Sequence, residues 1–485
     1  MVVTAKAVAS GSMWSYGAQV ASIVMQFAYA AVTSRMVGPD VFGIYSVAVL
    51  VANLIAILSA AGLGQSIARS AHALDGTIRG LATISFGYGV AAVLLISPLA
   101  PAWATLWGNP QAINSIMLVG LSAVFAPSVG LLSGLLRRRR QFRQVAISTV
   151  IASSLALISS AGLVAIFRSP EALIAAPALT QVFTYFALQA SLRWKALPGV
   201  VGRDVIDHLS FGWRVSVANL LAYGIENVGR WAVSRAVGQS ALGFWNRADV
   251  ITTVPFDRLQ GAMMQALYPE LGKDRENTER VRRVWTDVLI VVGWISIPAS
   301  AFLAGAIPSL VPIVFGPDWN DIIGIAVILS FAAGFRGVSV QLASALEAAG
   351  RFGWIWASHG VLLAVQICGA IGVSVTGSLW YAIFGMLAVP LIRHAMQVTL
   401  CASRGILDSM RLLRGYIVIL LLSAVCWSLA YSASVFALSL DANPWICVAV
   451  LGLALAIVAL LTFAFRKSIP IFALIRQYGL GRSGM

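Results

Sequence analysis

Residues 34–48 read SRMVGPDVFGIYSVA, and residues 234–248 read SRAVGQSALGFWNRA. The two stretches align without a gap at an offset of 200, with six of fifteen positions identical: Ser, Arg, Val, Gly, Gly and Ala. Phe42 faces Leu242 and Tyr45 faces Trp245, so several mismatches are conservative. A second pairing lies further on, Leu132–Phe142 against Leu342–Phe352 at an offset of 210, each a small-residue helix end that runs into Gln-Phe or Arg-Phe. Two matches in the same order and at nearly the same offset mark an internal duplication, which must be settled before anything else about the fold.

The duplicated chain is built for lipid. Of 485 residues, 59% are hydrophobic and 11% charged, against about 25% charged in a soluble protein. A helix needs about 20 apolar residues to cross the hydrocarbon. Windows of that kind fall at about 13–33, 41–61, 80–98, 113–135, 145–167, 172–192, 209–232, 241–265, 284–306, 319–341, 354–373, 378–398, 415–437 and 445–465. The windows at 209–232 and 241–265 are interrupted by charge. Six crossings separate the two copies, and an even number returns the chain to the same side. The halves are therefore parallel repeats related by an axis along the membrane normal. The expected architecture is an all-α polytopic membrane protein of about fourteen transmembrane helices. It has an N-terminal lobe over residues 1–204 and a C-terminal lobe over 205–405, each of six helices. Residues 406–485 add helices 13 and 14 and a tail outside the repeat.

The net charge of +15 would suit nucleic acid, but its distribution argues otherwise. With the N-terminus in the cytosol, twenty-four Lys and Arg fall in inner segments, three (Arg35, Arg168 and Arg235) in outer ones and six inside the windows. The positive-inside rule then places both termini in the cytosol of a bacterial inner membrane. The basic charge is a topology signal, with membrane lipids and not nucleic acid as its partner. The four cysteines, Cys368, Cys401, Cys426 and Cys447, have no metal-ligand spacing. No cleavable signal precedes the first apolar stretch, and no Walker motif supports direct ATP coupling. A membrane enzyme such as a polymerase or ligase needs catalytic groups in a sizeable outer loop, and the outer loops are short. No enzyme activity is expected.

The opening Gly11-Ser12-Met13-Trp14, the loop Arg35-Met36-Val37-Gly38-Pro39-Asp40-Val41-Phe42-Gly43 and the later Ala60-Ala61-Gly62-Leu63 resemble the start of bacterial polysaccharide exporters. These are the Wzx-like and exopolysaccharide flippases of the multidrug/oligosaccharidyl-lipid/polysaccharide superfamily. The resemblance continues through Leu267-Tyr268-Pro269-Glu270-Leu271, Phe315-Gly316-Pro317-Asp318-Trp319 and Leu346-Glu347-Ala348-Ala349-Gly350-Arg351, and covers about residues 10–355. It implies two six-helix lobes around a central cavity, alternating access, and a polyprenyl-diphosphate-linked oligosaccharide as substrate, an O-antigen or exopolysaccharide repeat unit. It also implies a polysaccharide polymerase and glycosyltransferases as partners. Fourteen helices suit the exopolysaccharide branch and the lipid II flippases better than the twelve-helix drug exporters.

A charged side chain at a helix centre costs about 2.5–3.5 kcal/mol on insertion scales, so each one calls for a reason. Helix 7 carries Asn219, Tyr223, Glu226 and Arg230, of which Asn219, Glu226 and Arg230 share one narrow face. Helix 8 carries Asn246, Asp249, Thr253, Asp257 and Gln260 in one stripe, with Arg247 and Arg258 beside it. The duplication pairs Asn219 and Glu226 with Gln19 and Gln26, and pairs Asn246 and Thr253 with Ser46 and Asn53. The polar faces recur in both lobes, whereas the charge stays in the second.

On the resemblance, these faces line the cavity. Arg230, Arg247 and Arg258, with Arg336 as a weaker candidate, would hold the diphosphate, since guanidinium forks match phosphate oxygens bidentately. Gln19, Gln26, Asn53, Asn219 and Asn246 would bind sugar hydroxyls. Glu226, Asp249 or Asp257 would carry a coupling H+ or Na+; no other cofactor is expected. The alternative is mutual neutralisation, Glu226 with Arg230 and Asp257 with a neighbouring arginine. A drug/cation antiporter of the same superfamily would instead need an acidic, aromatic cavity. Trp103, Trp107, Trp319 and Trp445 read as an interfacial belt. The run Arg137–Arg140 reads as a topology anchor able to recruit anionic lipid, and Pro98, Pro298, Pro308 and Pro390 as helix ends or kinks.

Overall fold

A computed structural model describes residues 5–60, 67, 75–193, 196–202, 205–271, 278–348, 352–439 and 444–464. Among them there is no strand. A backbone surrounded by lipid must satisfy its own hydrogen bonds, which a helix does within one segment. The long helices are α1 (Ala5–Ser34), α2 (Pro39–Ala60), α3 (Asp75–Ile96), α4 in two halves (Ile113–Ser122 and Ala126–Arg138), α5 (Phe142–Phe167), α6 (Pro170–Ser191) and α7 (Val205–Ala236). They continue with α8 (Gln239–Leu271), α9 (Thr278–Val314), α10 (Ile322–Ala348), α11 (Phe352–Thr376), α12 (Trp380–Ser403), α13 (Ser409–Ser439) and α14 (Pro444–Ala464). Each overlays one apolar window of the sequence. Ten of them carry a stretch apolar and long enough to cross a membrane, so the protein is a multi-pass membrane protein. The remaining four are α1, α7, α8 and α14; in α7 and α8 charge breaks the apolar run.

The helix ends follow the sequence. Helix α6 starts where Ser169 accepts a hydrogen bond from the Ala172 N–H at 3.3 Å, with Pro170 and Glu171 in the first turn. The two halves of α4 are joined by a 3-10 turn over Ala123–Phe125, next to Pro127, which has no N–H to offer an unbroken helix. Pro298, Pro308 and Pro312 all sit inside α9, and Pro390 inside α12.

The chain packs as two units, Met1–Asn246 with Ala370–Leu379, and Arg247–Gly369 with Trp380–Met485. The division falls within α8. In the first unit, α7 and the start of α8 pack with α2, and Leu242 joins Val47, Val51, Ile96, Ile116 and Ile174 in one core cluster. A second cluster gathers Ile78, Leu81, Leu132, Leu136 and Leu192, at the end of the helices where the basic loops lie. In the second unit, α9 is the centre, with Leu289 and Val292 packed against Val338 of α10, Cys401 of α12 and Ile419 of α13.

Helix α13 is keyed to α9 by polar contacts along its length. The Ser309 and Ser434 hydroxyls are 3.0 Å apart, and Ser434 also donates to the Gly305 carbonyl at 3.0 Å. A methyl group on Gly305 would run into the Trp427 backbone. Nearer the basic end, Arg411 pairs at 2.7 Å with Asp287, which is buried, and Thr286 accepts a hydrogen bond from the Asp408 N–H at 2.9 Å.

The tryptophan belt needs correcting. Trp107 and Trp319 are fully packed rather than interfacial, because the short turns that carry them fold back onto the helix ends; Trp319 lies against Phe315. Trp103 is half-buried and donates to the Leu95 carbonyl at 2.8 Å, whereas Trp445 is exposed as a belt residue should be.

Candidate functional site

The two copies of the duplicated stretch touch one another. Gly43 lies one turn into α2 and Gly243 one turn into α8, and each faces the first residue of the other helix. A methyl group on Gly43 would sit 2.6 Å from the Gln239 carbonyl carbon. One on Gly243 would sit 2.8 Å from the Pro39 carbonyl carbon and 3.1 Å from the Gly43 nitrogen. Ser240 donates a hydrogen bond to the Asp40 carboxylate. Position 43 meets 239 and its counterpart 243 meets 39, while 40 meets 240 and 43 meets 243, so exchanging the two copies leaves the set of contacts unchanged and the contact is reciprocal, as across a local two-fold axis. Glycine is required because only hydrogen leaves room for backbone against backbone. Buried Phe42, Leu242 and Trp245 seal its flanks.

The end of α7 is pinned at the same level. Trp231 and Ser234 donate to the carbonyls of Leu106 and Trp107 at 2.9 and 2.8 Å, and Arg235 to that of Leu106 at 3.1 Å. Further along, the Tyr223 hydroxyl donates to the Leu50 carbonyl at 2.7 Å, holding α7 to α2 at mid-length. One turn beyond that bond, towards the basic loops, Asn53 on α2 and Asn219 on α7 are both exposed. Gln19 and Gln26 on α1 are half-buried, and Ser46, the counterpart of Asn246, is buried and donates to its own helix at Phe42. The first unit is thus closed by backbone contact at one end, with accessible amides below.

The charged residues divide as follows. Arg230 donates to Asn227 Oδ1 at 2.7 Å and stacks on the Trp245 ring at 5.4 Å, while Asn227 in turn donates to the Tyr223 carbonyl at 2.9 Å. These contacts orient the guanidinium. Glu226 is exposed and Asn246 half-buried. Arg247 is buried at 3% exposure. Asp249 accepts from Thr253 at 3.2 Å one turn along α8. Asp257 forms an ion pair with Arg336 of α10, so these two candidates come together as partners. The Arg258 and Gln260 side chains lie outside the described residues. The Asn227–Arg230–Trp245 group was overlooked in the sequence, although the spacing of 227 and 230 puts them on one helix face. Among the described residues no cluster of His, Cys, Asp and Glu could hold a metal, and all four cysteines are free thiols.

Residues 32–324, more than half of the chain, match the family described as polysaccharide biosynthesis protein. The lipopolysaccharide biosynthesis protein WzxC of Escherichia coli is 25% identical over 381 residues, spanning 75% of this chain and 76% of that protein. The succinoglycan biosynthesis transport protein ExoT of Rhizobium meliloti is 24% identical over 326 residues, spanning 65% of this chain and 64% of that protein. Among solved structures, the lipid II flippase MurJ in an inward closed conformation superposes with a TM-score of 0.68 at 12% identity, over 94% of this chain and 99% of that one. An inward-facing multidrug transporter of the MATE family superposes with a TM-score of 0.59 at 15% identity, over 84% and 99%. At such identities the structural likeness establishes the fold of this transporter superfamily.

Proposed function

This chain belongs to the polysaccharide biosynthesis protein family, and on that footing we propose that it flips a polyprenyl-diphosphate-linked oligosaccharide across the bacterial inner membrane by alternating access. In this reading residues 1–204 and 205–405 are the two moving lobes, residues 406–485 are an accessory, and both termini are cytosolic. Arg230, Arg247 and Arg258 hold the diphosphate, and Arg336 does so only when it leaves Asp257. The amides of Gln19, Gln26, Asn53, Asn219 and Asn246 meet the sugars. Glu226, Asp249 or Asp257 carries H+ or Na+. A polymerase and glycosyltransferases act on the same repeat unit on either side.

The reciprocal contact at Gly43 and Gly243 carries the reading. It closes one end of a duplicated bundle with backbone alone, while exposed Asn53 and Asn219 lie on the other side of the Tyr223–Leu50 bond. A closure made by two copies of one motif can be opened by moving the copies apart, as alternating access requires.

The test is transport. Purified protein in liposomes should carry a fluorescent polyprenyl-diphosphate oligosaccharide from one leaflet to the other, and Arg247→Ala should abolish this while leaving the protein inserted. A wild-type protein that leaves this lipid in place, yet exchanges a cationic dye for protons, would overturn the proposal in favour of a drug antiporter.

A further inference from the structure

The first unit carries a rim of arginines that the transport site does not use. The cluster of Ile78, Leu81, Leu132, Leu136 and Leu192 brings together the start of α3 and the ends of α4 and α6. Arg79, Arg137 and Arg193 each adjoin a residue of that cluster, and Arg139, Arg140 and Arg143 continue the turn after α4. All six are exposed. Among the described residues, Asp75 and Asp207, the latter in the first turn of α7, are the carboxylates at this end of the unit. The rim is therefore several charges positive over one small area.

Three features show that it is shaped, beyond being basic. The turn at Arg140 is closed by hydrogen bonds from the Arg140 N–H to the Arg137 carbonyl and from the Gln141 N–H to the Leu136 carbonyl, both 2.9 Å. Arg140 and Arg193 hold left-handed backbone, φ +58° and +53°, where glycine usually ends a helix. An arginine in that place directs its guanidinium outward at a steric cost that glycine would not incur. The Arg143 guanidinium stacks 5.0 Å over the ring of Trp14, a half-exposed tryptophan of the kind found at membrane interfaces.

The second unit has basic residues at the corresponding helix ends, of which Arg404 and Arg414 are exposed while others contact the fold. Arg411 pairs with Asp287 at 2.7 Å, Arg283 with Glu279 at 3.5 Å, and Arg282 donates to the Leu407 carbonyl at 3.2 Å. A positive-inside signal would be met equally well by such committed residues. The rim of the first unit keeps all six of its arginines exposed.

We propose that this rim binds phosphate oxyanions borne on lipid in the leaflet it faces, and that its ligand is the diphosphate of the lipid-linked substrate, collected there before entering the transport path. The inference rests on the transport reading above. Guanidinium forks suit phosphate oxygens, and a basic residue at a membrane surface strengthens binding of an anionic lipid roughly fivefold. A diphosphate offers more charge per headgroup than a phospholipid, so it should compete ahead of the bulk leaflet.

The experiment uses the full-length protein in nanodiscs of phosphatidylcholine, with a fluorescent isoprenyl diphosphate as the probe. The triple variant Arg137→Gln, Arg139→Gln, Arg140→Gln should bind the probe at least about tenfold more weakly, three contacts at that strength allowing more. The matching triple Lys variant, which keeps charge and topology, should retain most of the affinity, and salt should weaken wild type more than the Gln variant. In liposomes the Gln variant should transport slowly at low substrate yet reach the wild-type rate at saturation. Equal probe affinity in wild type and Gln variant would overturn the proposal. Displacement of the probe by a few mole per cent phosphatidylglycerol would also overturn it, leaving a general anionic-lipid anchor. Failure of the transport reading looks different: wild type would move no diphosphate lipid, whatever the rim binds.

Discussion

Replacing Gly43 and Gly243 by alanine tests the backbone contact directly. Each added methyl would lie 2.6–2.8 Å from a carbonyl carbon of the facing helix, where non-bonded carbons settle at about 3.5–4.0 Å. The obstacles are main-chain atoms, so no rotamer change relieves the overlap, and α2 and α8 must part by about 1 Å. Overpacking of this kind costs about 1–3 kcal/mol, a shift of about 5–150-fold in a two-state equilibrium. The sign is diagnostic, because alanine is the better helix former by about 1 kcal/mol. At Gly162, which has nothing within 4 Å of an added methyl, the same change should be neutral or stabilising. The assay is a spin-label distance between cysteines at Asp40 and Ser240, read in nanodiscs. Wild type should give one short distance, and the double alanine variant should move a large share of molecules to a longer one, with transport slowed. An unchanged distance distribution, with thermal stability equal to that of Gly162→Ala, would refute the contact as a closure.

Arg230→Ala, Arg247→Ala and Arg258→Ala should each leave the protein inserted while lipid-linked repeat units build up on the cytosolic leaflet, with Arg→Lys rescuing only in part because the planar fork is lost; full export in all three would end the anionic-site reading. If Glu226 serves only to neutralise Arg230, the double change Glu226→Ala with Arg230→Ala should be milder than either single change, as measured by export normalised to membrane protein level. Asp257 is half-exposed, so the Asp257–Arg336 pair should contribute at most about 1 kcal/mol in a thermal double-mutant cycle. Cysteines at Asp40, Ser240 and Asp318 should react with an impermeant thiol reagent from outside and one at Arg138 should not, whereas Asn109, buried in the structure, would be a poor reporter on the same side.

Helix placement was legible because an apolar run of membrane length is a strong signal. The window at 145–167 became Phe142–Phe167, and that at 113–135 ended within a turn of Arg138. The duplication was legible for a different reason: its glycines meet backbone, and no other residue fits. What stayed hidden was the rotation of each helix about its own axis. A span that is apolar on every side carries no periodic mark of which face meets protein and which meets lipid. Tyr223 therefore read as one of several polar residues, and nothing pointed to Leu50 as its partner. Asp257 read as pairing with an unspecified neighbouring arginine, and the partner proved to be Arg336, 79 residues on. Trp107 and Trp319 read as belt residues because position along the chain says how near a helix end they lie, and not whether the next turn covers them.

The tie between α9 and α13 also constrains how the protein is made. Asp287 enters the bilayer with α9, but Arg411, the arginine that pairs with it at 2.7 Å, is synthesised more than a hundred residues later. Through that interval the ribosome has delivered a carboxylate whose cationic partner does not yet exist. The pairing of α9 is completed only when α13 emerges. A chain stopped before Ser409 would lack this counter-ion, as well as Ser434, which spans Ser309 and Gly305. Helix α13 thus supplies both the counter-ion and the hydroxyl that α9 lacks when it is made.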